Sequence, residues 1–311
     1  MRVSLFVTCL TDLYFPDVAE CVVRILHRLG IPVDFPKGQT CCGQPALNSG
    51  FEEEARAVAA HMIEVFESSE LVVTPSGSCC SIVREYFPHL FQHDPAMHAR
   101  AEAMAAKTFE FVEFLEKVLK VDWTAWDLHY PAVATYHYSC HLRGIGMTDE
   151  AVRLLQKVRG IEYRPLEKME QCCGFGGTFA VKYGDISGAM VRDKVACIQA
   201  TGATTLVCND GGCTLNIQGA CRRNGVDIQV KHIAEILDAA MQRAAGPGFA
   251  PQRAAGFSPR GLPVTEEPSE RLPHGHGSTS PPCGMARMES AAATLRPSSP
   301  APPAKSDGGA A

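Results

Sequence analysis

Two hydrophobic periods alternate along the first 243 residues. Short apolar runs at 3–7, 71–74, 133–138 and 206–208 read as buried strands, because a strand covered on both faces needs no polar alternation. Between them apolar residues recur at i, i+3 and i+4, the spacing of one helix face. In residues 17–29 that face is Val18, Cys21, Val22, Ile25, Leu26 and Leu29. Asp17 is the expected N-cap, Glu20 completes a capping-box pattern, and Gly30 supplies the stop. A second helix is predicted over 52–66, with Ala55, Val58, Ala59, Met62, Ile63 and Phe66 inward, and one long helical stretch over 97–120. This alternation predicts an α/β fold with mostly parallel sheets.

The period fades beyond residue 243. Residues 246–311 hold 12 of the 21 prolines with many Ala, Ser and Gly, a composition that cannot bury enough apolar surface to offset its ordering entropy. That stretch, with Cys283, His274 and His276, is expected to be a disordered tail. It is read as a solvated linker and not a metal site, dispensable for folding and activity.

The chain also repeats itself. Cys9 follows one strand and Cys140 follows another; with 31 residues in between, each is answered by Cys-Cys-Gly, at Cys41-Cys42-Gly43 and at Cys172-Cys173-Gly174. The second set lies 131 positions after the first. A third element repeats at an offset of 134: the stretch from Val72 to Cys79 resembles that from Leu206 to Cys213, each a strand, a glycine-containing turn and a cysteine. Fixed-period self-similarity marks repeated structural units. It predicts two pseudo-repeated halves, 1–125 and 126–243, followed by the tail, 244–311.

Each half thus offers four cysteines from three loops: Cys9, Cys41, Cys42 and Cys79, then Cys140, Cys172, Cys173 and Cys213. Loops at the carboxyl edge of a parallel sheet converge on functional sites, and clustered thiolates suit iron–sulfur clusters or zinc. Gly43, Gly174, Gly77, Gly211 and Gly212 would let the backbone approach a bulky group. Cys80 and Cys208 each neighbour a ligand loop in one half only and are candidate additional ligands. Cys21, Cys197 and Cys221 fall in helices and read as packing residues. His137 and His141 flank Cys140, either tuning a bound cluster or serving as ordinary core or surface histidines. Gly174-Phe175-Gly176-Gly177 matches neither the dinucleotide fingerprint nor the P-loop.

Charge and cysteine usage narrow the partners. The net charge is −5, so no electrostatic pull towards nucleic acid or anionic membrane is expected. No run approaches the roughly 18 apolar residues of a membrane span, and the first apolar run is too short for a signal peptide. Fourteen cysteines without a secretory signal point to the reducing cytoplasm, where they more often bind metal or do redox chemistry.

These motifs resemble the cysteine-rich CCG-domain iron–sulfur family, which includes the cysteine-rich component of heterodisulfide reductase and the iron–sulfur component of glycolate oxidase. The stretches from Val3 to Leu10, Cys41 to Ala46, Pro75 to Cys79, Ser139 to His141, Cys172 to Phe179 and His232 to Glu235 look most like its lactate utilization A branch. The resemblance spans residues 1–240. It implies a subunit of a three-protein system that oxidises L-lactate to pyruvate, with lactate utilization proteins B and C as partners. It also implies iron–sulfur clusters of the 4Fe-4S kind, up to two, held by the repeated cysteines. The broader family ends each half in Cys-x-x-Cys. At that spacing this chain has Gly77 with Cys80 and Cys208 with Gly211, one thiolate fewer in each half.

Three functions remain open at this point. The first is an electron relay, which suits a chain without a flavin or nicotinamide fingerprint. The second is heterodisulfide-reductase-like thiol–disulfide chemistry, and the third a structural zinc–thiolate protein.

Overall fold

The computed structural model describes residues 1–244, so the predicted tail, with Cys283, His274 and His276, lies outside the described residues. The first half runs β1 (Val3–Leu5), α1 (Cys9–Tyr14), α2 (Pro16–Arg28), β2 (Val33–Asp34), α3 (Gln44–Leu47), α4 (Glu52–Val65), β3 (Leu71–Thr74), α5 (Gly77–Ser81), α6 (Phe87–Leu90), α7 (Pro95–Ala106), β4 (Thr108–Glu110) and α8 (Phe111–Glu113). The second runs β5 (His129–Tyr136), α9 (Glu150–Gln156), β6 (Arg159–Tyr163), α10 (Thr178–Lys182), α11 (Gly184–Ala200), β7 (Thr205–Cys208), α12 (Gly211–Arg223), β8 (Gln229–His232) and α13 (Ile233–Ala244). Each half builds a four-stranded parallel sheet, ordered β2-β1-β3-β4 and β6-β5-β7-β8. The α/β class, the parallel sheets and the two repeat-like halves are therefore as the pattern predicts. No helix among the described residues is long and apolar enough to cross a membrane.

Two local expectations need correction. Asp17 does not cap α2. Phe15 occupies the N-cap without a side-chain bond, and Pro16 opens the helix, since a proline's fixed φ suits that position and its missing N–H costs nothing there. Gly30 does stop the helix: its φ is 74°, and Ile31 N–H closes onto the Leu26 carbonyl at 2.9 Å. The stretch 97–120 is not one helix. α7 ends at Ala106, Thr108–Glu110 joins the edge of β3 as a parallel strand, and helix resumes at Phe111. The edge of β3 presents unpaired backbone groups, and only chain brought back from afar can pair them. A local signal for the restart was present: Glu110 and Glu113 form a reciprocal capping box.

The largest hydrophobic cluster is shared by both halves. It joins Val3, Leu5 and Val73 of the first sheet to Ala134, Tyr136 and Val207 of the second. The last helix, α13, crosses onto α2, where the buried Asp238 accepts from Arg24 Nε at 2.8 Å. Smaller clusters flank each half, one holding Cys42 and Cys79 and the other Cys173 and Cys213.

Equivalent positions of the repeat face each other across the junction. Ser76 Oγ donates to Asp210 Oδ2 at 3.0 Å, and Gly77 N–H to the Asn209 carbonyl at 3.2 Å. Ser76 and Asp210 are themselves equivalents under the 134 offset. A Cβ on Gly77 would lie 2.7 Å from Leu142, and one on Gly211 3.5 Å from Thr11; Leu142 and Thr11 are equivalents under the 131 offset. Such reciprocity is what an approximate two-fold relation requires. The room left by these glycines is thus used by the opposite half.

Glu110, fully buried where the halves meet, accepts from the Asn209 amide at 3.1 Å and from the Val112 and Glu113 N–H groups at 2.8 and 3.1 Å. Burial drives its carboxyl from the ordinary 4.5 up to about 8. Between those pH values the unfolded chain has lost a proton that the folded chain keeps, so this group's contribution to stability falls as pH rises from about 4.5 to about 8. Glu110→Gln keeps an oxygen for the two N–H groups, and its NH2 replaces the oxygen that accepts from Asn209 Nδ2, so the Asn209 amide turns over and presents its partnerless Oδ1 as the acceptor. Urea midpoints at pH 5 and pH 8 are expected to lie closer together in this variant than in the parent. Equal separations would show that Glu110 is ionised in the folded state.

Candidate functional site

The repeated cysteines all sit just past the carboxyl ends of strands or in the loops beside them. Cys9 opens α1, directly after Thr8, whose φ of 73° is unusual for a β-branched residue. Cys41 and Cys42 precede α3, and Gly43 between them and the helix adopts a φ of 84°. Cys79 is the third residue of α5. In the second half Cys140 opens a short 3-10 turn after β5, and Cys172 and Cys173 precede Gly174, again with φ 84°. Cys213 is the third residue of α12. The caps repeat as well: Ser76 accepts from Cys79 N–H, and Asp210 from Cys213 N–H, so each cap fixes the turn that carries the thiol.

All eight cysteines line one cavity of about 330 Å³ between the halves. Within it the thiols group by half. Cys9 and Cys41 sulfurs are 3.5 Å apart, Cys42 and Cys79 3.5 Å, and Cys173 and Cys213 3.3 Å. None of these is a disulfide, whose sulfurs would be about 2.05 Å apart. Cys140 lies 3.6 Å from His141 Nδ1, and His141 Nε2 is 3.1 Å from Gln44 Nε2 of the other half.

Hydrogen bonding among the thiols shifts neighbours in opposite directions. Hydrogen bonds from Cys42 and Cys9 hold Cys41 far below the usual thiol range, while Cys41 pushes both neighbours up. In the second half Cys213 is pulled down to about 6, first by the Cys173 thiol and also by His137, and Cys173 is pushed up, first by its hydrogen bond with Cys172 and then by that with Cys213. Adjacent sulfurs cannot all ionise without a compensating cation, and among the described residues lining the cavity none is lysine or arginine. Soft, closely grouped thiols with room beside them suit a thiolate-held metal or an iron–sulfur group, so the residues present fit the implied cofactor.

Cys80 and Cys208 do not line the cavity. Cys80 is buried beside the Thr108 carbonyl, 4.0 Å away, and Cys208 is packed with Leu206 and Ile217. Cys21 and Cys221 are buried on helices, Cys197 half-buried on another, and Cys21 accepts from Arg24 at 3.2 Å. Gly174 and Gly212 are spoken for by protein atoms. A Cβ on Gly174 would lie 2.8 Å from the Ser187 carbonyl, and one on Gly212 2.6 Å from Phe175.

Sequence reasoning left His137 between two roles, and the structure buries it beside Cys173 and Cys213, outside the residues that line the cavity. It is fully buried, neither ring nitrogen makes a well-formed hydrogen bond, and it lies within ligand reach of Cys173 and Cys213. A buried polar group without a partner costs about 1–3 kcal/mol. Gln44, Asp210 and Thr178 were not anticipated as lining residues. For Asp210 a signal existed, its equivalence to Ser76 in the repeat.

Comparison with known proteins shows the family. A family profile described as a cysteine-rich domain, CCG, matches residues 3–84 and 134–218. Lactate utilization protein A of Geobacillus kaustophilus is 50% identical over 240 residues, 77% of this chain and 99% of the relative. The protein of the same description from Bacillus licheniformis is 48% identical over 239 residues, 76% of this chain and 99% of the relative. Among solved structures, a hypothetical protein from Helicobacter pylori superposes with a TM-score of 0.55 at 12% identity, over 77% of this chain and 49% of that one. That likeness concerns the fold alone.

Proposed function

The chain belongs to the lactate utilization protein A family of cysteine-rich CCG proteins, and on that ground we propose that it is the iron–sulfur, electron-carrying subunit of a system that oxidises L-lactate to pyruvate. The observation that carries this reading is the convergence of eight cysteines on one cavity. Cys9, Cys41, Cys42 and Cys79 would hold one group, and Cys140, Cys172, Cys173 and Cys213 a second. When bound, iron–sulfur groups supply one-electron storage and transfer. The chain's own part is to gather the thiolates and hold them with the capped turns at Ser76 and Asp210. The apolar walls limit water around them. Lactate utilization proteins B and C are the proposed partners.

The test is anaerobic purification with iron and acid-labile sulfide analysis, followed by mixing with the B and C proteins and L-lactate. A brown protein whose visible absorbance bleaches on lactate addition, and only with the partners present, is expected. A colourless protein carrying zinc would overturn the electron-carrying reading in favour of a structural thiolate site. Because the cavity opens between both thiol sets, a second reading is thiol–disulfide chemistry on a small substrate. It requires that a small disulfide reoxidise the reduced protein.

A further inference from the structure

His137 stands where the repeat places Phe6, 131 positions earlier. The backbones confirm the equivalence: Phe6 N–H donates to the Val73 carbonyl and His137 N–H to the Val207 carbonyl, both at 2.9 Å, and Val73 and Val207 are equivalents under the 134 offset. In the first half this position is apolar. Phe6 is fully buried, packs edge-on against Phe66 with centroids 5.7 Å apart, and shares a cluster with Cys42 and Cys79. In the second half the same position carries an imidazole, equally buried, with neither nitrogen satisfied. Its nearby donors are the equivalent cysteines, Cys173 and Cys213.

We propose that His137 supplies a nitrogen ligand to the metal held by Cys173 and Cys213, so that the two halves hold centres of different ligand chemistry. The first is bound by sulfur alone and the second by nitrogen and sulfur together. The inference deepens the metal-holding part of the reading above and rests on it. Geometry supports it directly. One atom from each of His137, Cys173 and Cys213 lies within 4.8 Å of the others, and the two sulfurs are 3.3 Å apart. A tetrahedral ion with metal–sulfur bonds of about 2.3 Å and metal–nitrogen bonds of about 2.0–2.1 Å sets its donors within that span. Cys172 adjoins Cys173 and acts on its thiol, which places a further sulfur at the same centre. A metal would also give one imidazole nitrogen the partner that the protein does not.

Cobalt(II) reports this ligand set without iron, sulfide or lactate. The probe is added anaerobically to the metal-free full-length chain carrying Cys41→Ser and Cys42→Ser, which silences the first-half thiols. Thiolate-to-cobalt charge-transfer bands and the visible bands of a tetrahedral site are expected. Adding His137→Phe, the residue already tolerated at the equivalent position, is expected to weaken cobalt binding at least about tenfold. Adding His137→Cys instead is expected to keep binding and increase the charge-transfer absorbance, because a further thiolate joins the ion. Unchanged affinity and spectrum in His137→Phe, or an unchanged spectrum in His137→Cys, would overturn the ligand assignment. If the background chain itself shows no charge-transfer bands, the metal reading falls and this inference with it. Loss of lactate-dependent bleaching with cobalt binding intact touches the proposed function alone.

Discussion

Cys42→Ser is expected to strip iron from the first half, about half of the total, and to leave the second-half iron in place; Cys173→Ser is expected to do the converse. Serine keeps the size of cysteine but is a harder, poorer ligand for iron than a thiolate. The loss is local because the close sulfur contacts run within each half: Cys42 to Cys79 at 3.5 Å and Cys173 to Cys213 at 3.3 Å. Both cysteines are buried, so general destabilisation must be separated from ligand loss. Cys21→Ser provides that control. Cys21 is also buried, on α2 away from the cavity, and the change places a hydroxyl on a packed face. It is expected to cost a little stability and no iron. Iron and sulfide are assayed in the three anaerobically purified variants. If all three lose iron equally, the effect is unfolding. If either cavity variant loses all of its iron while still folded, the eight thiols hold one shared centre instead of two. If neither loses iron, the Cys-Cys-Gly motifs are not ligands and the electron-carrying reading falls.

Gly174→Ala and Gly43→Ala are expected to differ in cost although the two glycines share a φ of 84°. The left-handed backbone charges any alanine about 1–2 kcal/mol, and at Gly43 little more is added. A Cβ there meets Val58 and the Ala55 carbonyl at 3.4 and 3.5 Å, ordinary contact. At Gly174 the Cβ would lie 2.8 Å from the Ser187 carbonyl and 2.9 Å from the Met190 Cβ. These are backbone and near-backbone atoms of α11, which cannot swing aside as a side-chain tip can. Overpacking of this kind adds about 1–3 kcal/mol. The total expected for Gly174→Ala is about 3 kcal/mol, against about 1 for Gly43→Ala, read from denaturant midpoints at constant slope. Equal losses would mean that α11 yields to the added carbon, and that the second Cys-Cys-Gly loop is as loosely seated as the first.

The repeat was legible because it is written in identities and spacings, which survive without any knowledge of packing. Cys9, Cys41, Cys42 and their counterparts 131 positions later name themselves in this way. The parallel α/β class was legible because buried strands and amphipathic helices have local periods. Both Cys-Cys-Gly glycines have a φ of 84°. They serve the left-handed turn, and at Gly174 also the approach of α11, whereas the reading from sequence had them making room for a cluster.

What the chain order cannot encode locally is which distant surfaces meet. Residues 108–110 carry helix-compatible neighbours, and only the open edge of β3 made them a strand. Gly77 and Gly211 look like turn residues, and only the reciprocal packing of Leu142 and Thr11 shows that they join the halves. Cys80 sits next to Cys79 in sequence yet faces the core, because consecutive helical positions point about 100° apart and the capped turn aims Cys79 at the cavity. His137 stands one strand residue beyond Tyr136, like any core position, and only the placement of Cys173 and Cys213 turns its unsatisfied nitrogens towards sulfur. Spacing along the chain was enough to assign each thiol to its half. That both sets open onto one cavity is a matter of tertiary packing alone, because it depends on how two sheets meet across a shared core, a non-local balance of burial and fit that no spacing records.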